Sequence, residues 1–191
     1  MPTTPDRRLS APNRFAVLAG RRSSPVPPED VEVRALAERD WTAVRRIYAE
    51  GIATGRATFE TTVPSRDELD SKWLPGHRWV AELDGAVVGW AAITPASARP
   101  CYAGVGETSV YVGDGVRGRG VGRALLHRQV TAADAGGLWT LQTGIFVTNR
   151  ASLQLHRWAG FRVLGVRERI ARWDGAWMDT VFLERRSDVV Q

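Results

Sequence analysis

A chain of 191 residues with 43% hydrophobic and 25% charged content has material for one compact core and too little length for two. Its single cysteine, Cys101, excludes an internal disulfide or a thiolate cluster, and three scattered histidines, His77, His127 and His156, have no metal-ligand spacing, so no metal is expected and a reducing compartment is. The formal charge is +5, yet residues 1–28 hold five arginines against one aspartate, a net of +4 that leaves +1 for the rest and makes a basic nucleic-acid-binding fold a poor fit.

The first 30 residues read as a disordered basic extension, a solvated arm or linker ending in "SSPVPPED", whose prolines disfavour helix and strand. Its apolar stretch "FAVLA" is shorter than the roughly 7 to 15 residues of a signal-peptide core, and no run approaches the roughly 18 to 20 that a membrane helix needs. A soluble, cytoplasmic protein is expected, with one folded domain over residues 31–186 and a short tail over 187–191.

Within the domain, "VEVRAL" alternates its valines as a first strand, and Asp40 is placed to cap a helix over "WTAVRRIYAEGIAT", where Trp41, Val44, Ile47 and Tyr48 recur at helical spacing. "WVAEL" and "AVVGWAAIT" flank Asp84-Gly85 as a hairpin with the residue order of a type I′ turn. Val105–Val112, "VGETSVYV", reads as the next strand. The turn-like "GDGVRG" and a helix carrying Val121, Leu125, Leu126 and Val130 follow. "LWTLQTGIF" is another strand, "NRASLQLHRWAGF" a short helix closed by Gly160, and the C-terminus two strands joined at Asp174-Gly175. A meander that gives way to alternating strands and helices predicts an α/β domain whose mixed, mostly antiparallel sheet has helices on both faces. Of the eight tryptophans, Trp41, Trp90 and Trp158 fit core patterns, whereas Trp177 suits an exposed surface.

The chemistry concentrates in "RGRGVG", Arg117 to Gly122. Bare glycines at Gly118, Gly120 and Gly122 allow a phosphate to approach the backbone, the helix that starts within the loop points unpaired amides at it, and Arg117, Arg119 and Arg123 add charge. No lysine followed by serine or threonine closes a P-loop, and no dinucleotide fingerprint is present.

The order strand, Arg-x-x-Gly-x-Gly, helix, strand, Asn-x-x-Ser and short helix resembles the GNAT superfamily of N-acetyltransferases. "ATFETTVPS", "ETSVYV", "RGRGVGRALL", "SLQLHRWAGF" and "DGAWMDTVFL" are similar in order and spacing to its phosphinothricin and methionine sulfoximine branch over roughly residues 31–184. The resemblance implies a single-domain GNAT fold and acetyl-CoA as co-substrate, its pyrophosphate held by the Arg117–Arg123 loop and its arm clamped by Asn149 and Ser152. Asn149 has an equally complete explanation as an N-cap, and Ser152 as reinforcement of that cap. The thioester would lie against Val110, Tyr111 and Val112, whose amides can polarise its carbonyl.

An α-amine is largely protonated near neutrality and must lose a proton before it can attack in a ternary complex. Glu107, a carboxylate set among apolar strand residues, is the candidate base, directly or through a water, and the position matches the family's catalytic glutamate. His156 falls where many relatives carry a tyrosine proton donor and the closer branch a histidine; an imidazole titrating near neutrality would serve as acid or base. For the acceptor, the branch implies that Arg99 and Tyr102 hold a carboxylate and that Phe59 supplies an apolar wall. Ser97 departs from the second basic residue of phosphinothricin-acetylating relatives, which favours methionine sulfoximine or sulfone as acceptor. The family also implies a homodimer through the C-terminal strands. Two further readings stay open: the same chemistry on a protein N-terminus or an antibiotic, and a non-catalytic acyl-CoA sensor with a nucleic-acid-binding arm.

Overall fold

A computed structural model describes residues 30–190, so the predicted extension lies, apart from Asp30, outside the described residues. The elements are β1 (Glu32–Ala35), α1 (Trp41–Ala53), α2 (Arg66–Lys72), β2 (Arg78–Leu83), β3 (Ala86–Pro95), β4 (Val105–Val112), α3 (Val121–Ala135), β5 (Thr140–Phe146), α4 (Arg150–Trp158), β6 (Arg162–Trp173) and β7 (Ala176–Arg186). Seven strands form one sheet in the order β1-β2-β3-β4-β5-β7-β6. Every neighbouring pair is antiparallel except β4 and β5. The predicted α/β class and mixed sheet are thus observed.

Both predicted hairpins turn where expected. Asp84 and Gly85 have φ of 51° and 75°, and Asp174 and Gly175 have 47° and 77°, the left-handed pairs whose twist matches that of the flanking strands. Helices cover both faces. On one, α3 buries Val121, Leu125 and Leu126 against Trp79, Ile93, Leu141 and Leu183. On the other, α1 lays Trp41, Val44, Ile47 and Tyr48 over Val80 and Trp90. That second core is an aromatic run: Trp41 stacks on Trp73 at 5.5 Å, Trp73 meets Trp90 at 5.0 Å, and Trp90 stacks on Tyr111 at 4.4 Å.

Three local readings are corrected. Asp40 precedes α1 but does not cap it: its carboxylate accepts from the Ala37 N–H at 2.7 Å and from Arg34 at 2.7 and 2.9 Å. The Arg34 guanidinium holds that carboxyl below the usual range. The helix α2 was not anticipated, because only Leu69 of it is buried and no apolar period shows. A capping box starts it, with Ser65 N–H donating to the Glu68 carboxylate at 2.7 Å and Glu68 N–H to Ser65 Oγ at 3.3 Å. Trp41 and Trp90 are buried as expected, but Trp158 is only half-buried and lines a cleft. No helix among the described residues is long and apolar enough to cross a membrane.

Candidate active site

The sheet forks between its two parallel strands. β4 and β5 pair only at Val105, Gly106 and Glu107 opposite Thr140, Leu141 and Gln142, although β4 continues to Val112 and β5 to Phe146. The Gly113 N–H donates to Val88 O and the Ala96 N–H to Val105 O, so odd-numbered residues of β4 direct their backbone groups to β3 and even-numbered ones face β5. Beyond the fork the amides of Val110 and Val112 therefore point into the opening. Tyr111 differs from the expectation for all three, since its backbone faces β3 and its ring packs against Trp90 and Tyr48. At the fork itself the Thr143 hydroxyl donates to Thr108 O at 3.4 Å, taking the acceptor that the next backbone rung would have used.

The glycine loop lies at the mouth of this opening. Gly118 and Gly120 have φ of 83° and 85°, which side chains other than glycine rarely adopt, and Gly120 is the left-handed residue from which α3 starts. A Cβ on Gly122 would come within 3.2 Å of Leu155, so its bareness serves the packing of α3 on α4. The amides of Gly118, Gly120, Val121 and Gly122 have no partner among the described residues.

These amides border a cleft of about 900 Å³ whose wall includes Arg56, Arg117, Arg123 and Arg150 and, among the described residues, no carboxylate. Arg117 also pairs with Asp114, and the Arg123 guanidinium lies 5.5 Å from the Trp158 ring. Arg119, predicted alongside them, instead pairs with Asp30 at 3.2 Å and does not line the cleft. Asn149 Oδ1 accepts from the Ser152 N–H at 3.1 Å, the expected N-cap, while its Nδ2 donates to Arg56 O at 3.1 Å. Both residues line the cleft, so the Asn149 amide ties the start of α4 to the loop after α1.

Glu107 is the last residue of β4 to pair with β5 and so stands at the fork. Its side chain is exposed rather than set among apolar neighbours, and its carboxylate has no ion pair or hydrogen bond among the described residues. Thr108, the next residue along the strand, turns to the opposite face and meets His156 Nε2 at 3.5 Å. His156 is 3% exposed, donates from Nδ1 to Ser152 O at 2.9 Å and lies edge-on to Phe161. Burial pushes its pKa down to about 4, against a weaker upward pull from the Ser152 carbonyl. The imidazole is thus neutral at physiological pH, Nδ1 holds the proton and Nε2 faces Thr108 as an acceptor, which replaces the expected group titrating near neutrality.

On the Glu107 face, the Phe59 ring meets Phe146 at 4.5 Å and is 36% exposed, a wall residue rather than core. Arg99 and Tyr102 lie in the connection from β3 to β4, just before the strand that carries Glu107. Both are exposed, with the guanidinium 5.8 Å from the phenol ring. Arg56 and Arg150 were missed from sequence: neither belongs to the glycine loop, and only the fold brings them to its mouth.

Residues 36–161 match the sequence profile of the family described as Acetyltransferase (GNAT) family. A phosphinothricin N-acetyltransferase from Alcaligenes faecalis is 33% identical over 96% of this chain and 91% of its own, a span that reaches into the segment before residue 31. An L-methionine sulfoximine/L-methionine sulfone acetyltransferase from Pseudomonas paraeruginosa is 29% identical over 82% of this chain and 94% of its own. The crystal structure of a GNAT superfamily phosphinothricin acetyltransferase from Sinorhizobium meliloti in complex with AcCoA superposes with a TM-score of 0.76 at 30% identity, covering 83% of this chain and 89% of that one.

Proposed function

The chain belongs to the GNAT acetyltransferase family, and from that we propose that it transfers acetyl from acetyl-CoA to the α-amine of a small amino acid analogue of the methionine sulfoximine, methionine sulfone or phosphinothricin type. The single observation that carries this reading is the fork in the sheet: the amides of Val110 and Val112 line its inner edge, and the Glu107 carboxylate, with no partner among the described residues, stands at its apex.

Acetyl-CoA supplies an activated thioester and a polyanionic tail, and the residues present suit both. Open amides at Gly118, Gly120, Val121 and Gly122, with Arg117 and Arg123, offer donors and charge to a pyrophosphate, and Arg56 and Arg150 add cations to the same wall. The Val110 N–H serves as donor to the thioester carbonyl, and the Val112 backbone to the arm. Asn149 keeps its capping role and, through Nδ2, reaches the same wall.

Glu107 takes the proton from the acceptor ammonium. Three residue steps of strand take the chain from it to Val110, about 10 Å at 3.3 Å per residue, so the proton travels through water. His156, neutral and hydrogen-bonded on both nitrogens, positions Thr108 and the fork rather than delivering a proton to the leaving thiolate. Arg99 with Tyr102 binds the acceptor carboxylate, and Phe59 with Phe146 walls its side chain. No cysteine lines the cleft, in keeping with direct attack in a ternary complex. The outer hairpin exposes Leu164, Val166, Ile170 and Trp177, an apolar strip suited to a second copy of the chain.

The test is thiol release from acetyl-CoA with phosphinothricin, methionine sulfoximine, methionine sulfone, ordinary amino acids and a peptide mixture, beside Glu107→Gln. Turnover on a sulfoximine, sulfone or phosphinate that collapses in the variant is the expected result. Turnover on peptides alone moves the enzyme to protein N-termini, and cofactor binding without turnover on any acceptor refutes the assignment.

A further inference from the structure

Along β5, Gln142, Gly144 and Phe146 alternate onto the face that carries Glu107. Directly opposed residues share a face: Gly144 is opposite Phe182 and Phe146 opposite Thr180 on β7, while Arg167 is opposite Thr180 on β6. Gly144 is exposed, and apart from its chain neighbours the one atom of the described residues within 4 Å of where its Cβ would stand is Thr180 Oγ1, at 3.8 Å. The result is a hollow one side chain wide, one pleat or roughly 7 Å along the strand from the Glu107–Gln142 row.

Its rim is chemically mixed. Phe146, backed by Phe59, and Phe182 are apolar walls. Thr180 is 4% exposed and its hydroxyl has no partner among the described residues, which is uncommon for a buried hydroxyl. Arg167 is exposed, its guanidinium lies 5.0 Å from the Phe182 ring, and it forms no ion pair among the described residues. Glu184, two pleats further along β7 on this face, is bound to Arg162.

Resting on the acceptor class proposed above, we infer that this hollow is the head-group subsite, in which Arg167 and Thr180 bind the oxygens of a tetrahedral sulfur or phosphorus head and Phe59, Phe146 and Phe182 enclose its methyl and methylene groups. Arg99 takes the α-carboxylate from the other side of Glu107. Ser97 leaves the connection before β4 one cation short, and Arg167 supplies a cation from a different strand, so an anionic phosphinate is accepted as well as a neutral sulfone or sulfoximine. The selectivity is that of a guanidinium that pairs with oxyanions and of a hydroxyl that donates to any head oxygen.

Steady-state kinetics on phosphinothricin, methionine sulfone and methionine, with wild type, Arg167→Leu, Arg167→Lys and Thr180→Val, test the subsite. Arg167→Leu should lose at least about tenfold in kcat/KM on phosphinothricin and less than about threefold on methionine sulfone, with Arg167→Lys recovering part of the loss and KM for acetyl-CoA unchanged. Thr180→Val should lower activity on both oxygenated heads and spare methionine; should it fail to fold, the exposed Arg167 variants decide alone. Wild-type turnover with Arg167→Leu unaffected, or affected equally on the anionic and neutral heads, overturns the subsite and leaves the acetyltransferase reading standing. No wild-type turnover on any of the acceptors overturns both.

Discussion

Replacing His156 with a side chain that does not titrate should flatten the pH dependence of stability. In the folded chain this imidazole titrates at about 4, because burial disfavours its charged form, whereas in the unfolded chain it returns to 6.5. The unfolded state therefore binds more protons between those values, and stability rises with pH across that window. The contribution is fully present above the unfolded value and is lost as pH falls toward the folded one. A separation of 2.5 units corresponds to about 3 kcal/mol, accruing at close to 1.4 kcal/mol per pH unit near pH 5. Urea unfolding of wild type and His156→Gln at about pH 7, 5.5 and 4.5 measures this directly, because carboxylate titrations common to both chains cancel in the difference. Wild type should lose about 2.4 kcal/mol more than the variant between pH 7 and pH 4.5, most of what one titrating group of this separation supplies. Parallel curves would refute the reasoning, since they require an imidazole that keeps its ordinary proton affinity in the folded state. The same logic denies His156 a limb in the pH–rate profile near neutrality.

Glu107→Gln should lower kcat by about 10²- to 10⁴-fold while leaving KM for acetyl-CoA within about twofold, measured by thiol release; an undiminished rate would assign the proton to another group. Gly120→Ala forces a methyl-bearing residue to φ near 85°, a strain of about 1–2 kcal/mol, and should both lower the melting temperature and raise KM for acetyl-CoA. Thr143→Val keeps the volume of the side chain but strips the donor from Thr108 O at the fork. It should destabilise by about 1–3 kcal/mol in chemical denaturation and raise KM more than it lowers kcat, and an unchanged midpoint would show that the hydroxyl does not bind there.

The strands and the three longer helices were legible because each carries a local signal: period-two valines, helical spacing, or a turn dipeptide that only one backbone geometry accommodates. The helix α2 escaped because one buried leucine makes no period, although "SRDE" already spelled its capping box. Glycine-loop conformation was legible in the same local way, at Gly118 and Gly120. What the sequence hid were relations between distant segments. Nothing local told that Arg119 would turn to Asp30, or that Arg56 would reach the cleft across the fold. His156 shows the same limit for chemistry: its position was evident, but its charge state depends on how thoroughly the folded chain excludes water from it.

The short ladder between β4 and β5 has a mechanical consequence. Three residue pairs are all that the two strands share, and just beyond them the Thr143 hydroxyl rather than a backbone amide reaches Thr108 O. A ligand whose amide-bearing arm runs along Val110 and Val112 would act as a temporary eighth strand, supplying bonds the polypeptide leaves out. Occupancy and rigidity are then one variable: by mass action about 100-fold excess over Kd adds roughly 2.7 kcal/mol, and that gain should concentrate as slowed hydrogen exchange at the amides flanking the gap.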